Sequence, residues 1–128
     1  DRKMIPDKPI DMSGPCLRAF ATIARDWCLT EQEQRALLGG PTPRTLTEWL
    51  RAARMRERVR VPDAVLVRMQ VLLQIRCGIK RFMPAPVDQR TWLRGRNRDL
   101  GGRQPLELMT ESAQEMARVR DLIDGWTL

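Results

Sequence analysis

Thr30-Glu31-Gln32-Glu33-Gln34-Arg35-Ala36-Leu37-Leu38-Gly39-Gly40-Pro41-Thr42-Pro43-Arg44-Thr45-Leu46 sets out the end of one loop, a short helix, a turn and the start of a second helix. Thr30 followed three residues later by Glu33 is a capping box, in which each side chain satisfies a backbone N–H that the first helical turn leaves free. Ala36, Leu37 and Leu38 carry the apolar side of that helix. Gly39-Gly40-Pro41 then stops it, because glycine enters the left-handed conformation that ends a helix and proline cannot continue one. Thr42 caps the next helix with Pro43 at its first position, and Leu46, Trp49, Leu50 and Ala53 recur at helical spacing as its inner face.

Working outward, Leu17, Phe20, Ala21, Ala24 and Trp27 predict an amphipathic helix over about 15–28. After residue 54 the pattern changes. Arg54, Arg56, Arg58 and Arg60 alternate with Met55, Glu57, Val59 and Val61, which reads as extended or loop chain. Pro62 and Asp63 open the strongest helix, with Val65, Leu66, Met69, Leu72, Leu73, Ile75 and Ile79 as a wide apolar face. Met83-Pro84-Ala85-Pro86 closes it and marks the division between halves. Short helices follow at about 88–94 and 105–109, with a Gly101-Gly102 turn between them. A last helix runs from about Ser112 to Ile123, with Met116, Val119, Leu122 and Ile123 inward. No strand or internal repeat is expected, so the fold class is all-α. The expected organisation is a flexible segment over 1–14, a helical region over 15–82 and a small helical domain over 83–128.

Composition narrows the function. With 42% hydrophobic residues the chain is too apolar for disorder, yet no run approaches the roughly 18 uncharged residues of a membrane span. A cytoplasmic location without membrane partners is the expectation, since nothing in 1–12 resembles a signal or transit peptide. The chain has no histidine, and Cys16, Cys28 and Cys77 form no CxxC pair, so a zinc site lacks its usual ligands and the thiols read as reduced, buried small groups. Without histidine the commonest general base is missing, and no set of nucleophile, base and oxyanion donors assembles. The expectation is a binding protein with no cofactor and no enzymatic activity.

Charge separates two surfaces. Residues 1–60 hold 12 basic and 8 acidic side chains, 61–104 hold 9 and 3, and 105–128 hold 2 and 5. A basic stretch followed by an acidic tail suggests two partners, one of them polyanionic. Twenty arginines against three lysines favour planar contacts to phosphate or carboxylate. Two short helices about a glycine turn, the second rich in Thr and Arg, fit a helix-turn-helix. Its outward residues are Arg44, Thr45, Thr47, Glu48, Arg51 and Arg54. Those near the N-terminus are the candidate base readers, and Arg51, Arg54, Arg56 and Arg58 the phosphate contacts. Glu48 repels phosphate unless it accepts from a cytosine amine.

Thr91-Trp92-Leu93, then Arg96-Asn97-Arg98-Asp99-Leu100-Gly101-Gly102-Arg103-Gln104-Pro105-Leu106-Glu107-Leu108-Met109-Thr110, and finally Val119-Arg120-Asp121-Leu122-Ile123-Asp124-Gly125-Trp126 occur in a distinctive order. This order resembles the toxin-binding domain of the Xre/MbcA/ParS antitoxin family. Leu38-Gly39-Gly40-Pro41-Thr42, Thr45-Leu46 and Trp49 look like the helix-turn-helix region of the same family, so the resemblance covers about 30–126. Glu111-Ser112-Ala113 departs from it, since members often carry a glycine there. The resemblance implies a Cro/Xre-like N-terminal part joined by a long central helix to a toxin-binding part. It implies a RES-domain toxin as partner, inhibited by occlusion of its NAD cleft, and a homodimer that binds its own promoter DNA through the helix-turn-helix. The candidate toxin-binding residues are Trp92, Asn97, Gly101, Gly102, Pro105, Met109, Glu115, Arg118, Arg120, Asp121, Asp124 and Trp126, with Arg120, Asp121 and Trp126 foremost. The competing expectation is a stand-alone transcription regulator whose C-terminal part dimerises.

Overall fold

A computed structural model describes residues 11–127, and among them the only regular elements are helices. These are α1 (Ser13–Asp26), α2 (Glu31–Leu37), α3 (Pro43–Arg54), α4 (Asp63–Phe82), α5 (Pro86–Arg94), α6 (Pro105–Glu111) and α7 (Ala113–Asp124), with a single 3-10 turn at Arg98–Leu100. Most boundaries follow local chemistry. The Thr30 hydroxyl accepts from the Glu33 N–H at 3.0 Å, and the Glu33 carboxylate accepts from the Thr30 N–H at 2.9 Å. Thr42 accepts from the Thr45 N–H at 3.1 Å with Pro43 leading α3, and Ser112 caps α7 by accepting from the Glu115 N–H at 3.1 Å. Of the expected flexible segment, residues 1–10 lie outside the described residues, while Ser13 and Gly14 already belong to α1.

Helix α4 is the pillar. Its side chains Met69, Leu72, Ile75 and Ile79 are buried against α1 on one side and α7 on another. One apolar core runs without interruption from Cys16, Leu17 and Phe20 of α1 to Met116, Val119 and Ile123 of α7. The turn at 83–85 therefore redirects the chain but does not divide the core. α2 packs on α6, and α1 touches α5 as well as α3 and α4. Polar ties reinforce these contacts. The Trp27 indole N–H donates to Gln89 Oε1 at 2.8 Å, Gln89 Nε2 donates to the Met83 carbonyl at 2.9 Å, and both side chains are buried. Arg76 of α4 holds the Asp26 carboxylate at 2.6 Å, and Arg90 donates to the Asp26 carbonyl at 2.8 Å. The Ser13 hydroxyl, also buried, accepts from the Val61 N–H at 3.1 Å and so anchors the α3–α4 connection to α1.

Several side-chain positions differ from the sequence expectation, and Ala21, expected on the buried stripe of α1, is exposed. Trp49 and Leu50 are half-buried where full burial is expected, because the far side of α3 faces solvent. Among the cysteines, only Cys16 is buried, and burial pushes its thiol above the usual value; Cys28 and Cys77 are exposed. Cys28 has a structural reason for its place. It sits at φ 53° just past α1, where its N–H donates to Arg25 O and the Leu29 N–H donates to Ala24 O, the paired closure that favours glycine. A side chain with a Cβ is strained there by about 1 kcal/mol. Cys28→Gly should therefore stabilise the protein by roughly 0.5–1 kcal/mol and raise its melting temperature by about 2–4 °C in a thermal unfolding measurement.

Candidate functional site

Between α5 and α6 the chain closes a tight loop around Asn97. Its backbone N–H donates to Arg103 O at 3.1 Å, its carbonyl accepts from the Gly102 N–H at 2.8 Å, and its side-chain oxygen accepts from the Asp99 N–H at 2.9 Å. Gly101 and Gly102 turn the chain at φ 68° and 81°, and Leu100 plugs the loop into the core. Pro105 and Met109 are shut away from solvent, so they build the platform and offer a partner nothing to touch. Trp126, beyond the end of α7, packs edge-on against Trp92 (ring centres 5.1 Å apart) and Phe82 (5.2 Å). These rings fasten the C-terminal end of the chain to α4 and α5. Residues 82–126 match the family model of the antitoxin Xre/MbcA/ParS C-terminal toxin-binding domain. The chain carries that domain. A search among curated proteins returns no match.

The outer side of α7 and the loop before α6 are polar. On α7, Arg118, Asp121 and Asp124 are exposed, and Glu115 is half-buried in an ion pair with Arg118 at 3.1 Å. Arg120 behaves differently: it leans on the pillar, donating to Gln74 of α4 at 3.3 Å and to Asp121 at 3.2 Å. Arg103 of the loop pairs with Glu111 at 2.6 Å and Glu107 at 3.5 Å. The sequence places these residues on α7 and the loop correctly. It does not show that Arg120 is shared with α4, since that depends on where α7 docks.

A clasp joins this domain to α2. The Arg94 guanidinium grips Glu33 with bonds of 2.8 and 2.9 Å, so Glu33 serves both the cap of α2 and the contact with α5. Arg94 is the main reason the Glu33 carboxyl titrates below the usual range, with the Thr30 N–H assisting and burial opposing. Glu33→Gln keeps a capping partner but loses the ion pair. A depressed carboxyl contributes stability above its unfolded pKa of about 4.3 and loses it as pH falls through the folded value. The variant should thus be less stable than wild type at pH 7 by up to about 1 kcal/mol, with the gap closing below about pH 4 in urea titrations. A gap that stays constant down to pH 3 contradicts this account.

The second surface lies on α3 and the connection after it. Arg44, Thr47, Glu48 and Arg54 are exposed along α3, and Arg56, Arg58 and Arg60 are exposed beyond it. Thr45 is turned into the cap of its own helix, where its hydroxyl accepts from that of Thr42 at 2.9 Å. Arg56 takes φ 57° to close α3, its N–H donating to Ala53 O and the Glu57 N–H donating to Ala52 O. Arg18 of α1 donates to the Ala53 carbonyl at 3.2 Å and fixes this end of the helix. Arg51 is the exception among the arginines: Glu48 holds one edge of its guanidinium and Glu57 the other. Both carboxyls are depressed, chiefly by hydrogen bonding to Arg51, and Arg51 is raised in turn. Among the described residues no helix is long and apolar enough to cross a membrane.

Proposed function

We propose that the chain is the antitoxin of a toxin–antitoxin pair, that its toxin is of the RES-domain class, and that the C-terminal surface covers the toxin's NAD-binding active site. The observation that carries this reading is the toxin-binding domain over 82–126, in which α7 buries Met116, Val119 and Ile123 in the core while Arg118, Asp121 and Asp124 face outward. The contact surface is then the outer side of α7, the Asn97–Arg103 loop and the edge of Trp126. Pro105 and Met109 act behind it as support. The basic surface takes promoter DNA in the same reading, with Arg44, Thr47 and Glu48 toward the bases and Arg54, Arg56 and Arg58 toward phosphates. Two copies joined near this region would match a two-fold operator. A cytoplasmic setting follows from both partners.

Co-expression with the neighbouring gene, pull-down and an NAD-depletion assay test the inhibitory half. Asp121→Arg combined with Asp124→Arg, two exposed positions, should weaken capture of the toxin at least tenfold and restore NAD loss while leaving the melting temperature unchanged. Undiminished protection by this double variant rejects the assigned surface. For DNA, three neutralised phosphates per copy (Arg54, Arg56 and Arg58) give a slope of log affinity against log salt of roughly −3 per copy. No mobility shift with promoter duplex at low salt rejects the DNA role alone.

A further inference from the structure

Arg51 stands in the middle of the proposed DNA surface, yet its hydrogen-bonding capacity is almost spent. Nε and NH2 donate to the two Glu48 oxygens at 3.2 and 2.6 Å. NH1 and NH2 donate to the two Glu57 oxygens at 3.2 and 3.0 Å. A guanidinium has five N–H groups in a fixed fork, so these bonds occupy all but one. Gripping a phosphate or a guanine with two bonds would require Arg51 to release one of its carboxylates. Glu48 is in the opposite condition. Each of its oxygens accepts one bond from Arg51 and retains a further lone pair, and its side chain is 61% exposed. It lies with Pro43, Arg44 and Thr47 around a shallow depression on the N-terminal half of α3. Glu57 is rooted in the connection after α3, so the chain Glu57–Arg51–Glu48 ties a reading-face carboxylate to the rigid end of its helix.

We propose that Glu48 is a base-reading residue that accepts from the exocyclic amine of a cytosine in the major groove, and that Arg51 is a positioning residue that holds Glu48 in place without touching DNA. This rests on the DNA-binding reading above. A carboxylate offers only acceptors when ionised, and in the major groove the cytosine amine is the donor that glutamate matches; guanine presents acceptors there and is refused. A free glutamate would be pushed from the duplex by phosphate charge. One clamped by arginine enters with its direction set and its charge partly offset. Arg51 also serves Glu57, so the three groups keep one negative charge, which Arg44 beside Glu48 opposes.

The test is selection of binding sites from randomised duplexes by the full chain at low salt, followed by competition titrations against duplexes altered one base pair at a time. Wild type should prefer cytosine by about tenfold at one position of the selected site. Glu48→Ala and Arg51→Ala should both lose the preference at that same position and keep those elsewhere. Glu57→Gln, whose amide oxygen still accepts from Arg51, should retain it. A cytosine preference that survives Glu48→Ala overturns the proposal. So does loss of a guanine preference at a different position in Arg51→Ala, which would make Arg51 itself the reader. Wild type that binds no duplex at low salt instead overturns the underlying DNA reading, and the inference with it.

Discussion

Gly78→Val should lower the melting temperature by about 10 °C and loosen α7 from α4. Gly78 is buried in the last two turns of α4, and a Cβ placed there would come within 2.5 Å of Ile123 Cγ2. Ile123 is itself fully buried, and its branched side chain on a helix has essentially one rotamer, so it cannot swing aside. The helices must separate, which exposes Met116 and Val119 as well. Overpacking of this kind costs about 1–3 kcal/mol, and the second methyl of valine places the result at the upper end. At this chain length each kcal/mol shifts the transition by about 3–4 °C. The cause can be isolated with a double-mutant cycle. Ile123→Ala alone should cost about 2–5 kcal/mol for its lost contacts, but in a Gly78→Ala background it should cost at least 1 kcal/mol less, because the new methyl occupies the space vacated. Strict additivity of the two changes refutes the steric account.

Gln89→Leu should destabilise the fold by about 3 kcal/mol, although leucine is the more apolar residue and the site is wholly buried. Gln89 supplies the acceptor for the Trp27 indole N–H and the donor for the Met83 carbonyl. Leucine leaves the Trp27 N–H without a partner in a buried site and the Met83 carbonyl without its donor in a part-buried one, and each such group costs about 1–3 kcal/mol. Chemical denaturation of the single variant measures the total. Trp27→Phe in the Gln89→Leu background removes one orphaned donor and should recover part of the loss, unless the indole volume itself matters more. A Gln89→Leu chain as stable as wild type shows that the buried bridge contributes nothing.

Helix ends were the most legible part of the sequence, because the residues that make them act on their own neighbours. Thr30 with Glu33, Thr42 with Pro43, and Gly39-Gly40 each satisfy or break backbone bonds within a few residues. The ends made by Cys28 and Arg56 were not legible, since neither residue type advertises a left-handed turn. Long-range partners escaped as well. Gly78 offered one clue, a glycine inside a strong helix that costs about 1 kcal/mol and calls for a packing reason, but its partner Ile123 is in another helix. For the candidate site, periodicity put Arg118, Asp121 and Asp124 on an outer face, and the ordered Trp-Leu, Gly-Gly and Pro-Leu motif located the toxin-binding domain. The same motif made Pro105 and Met109 look like contacts, whereas burial makes them support. The clamp of Arg51 between Glu48 and Glu57 required knowing how the chain after α3 folds back.

The stretch recognisable by family, 82–126, is smaller than the object that holds its shape. Its α5, α6 and α7 lean on α1, α2 and α4, whose apolar surfaces they complete. Grafted alone onto another scaffold, that segment would arrive with Leu93, Leu108, Val119 and Ile123 uncovered and would be prone to clump. Anyone wishing to transplant the grip on a toxin must carry the supporting helices along, or supply a substitute floor of matching contour beneath it.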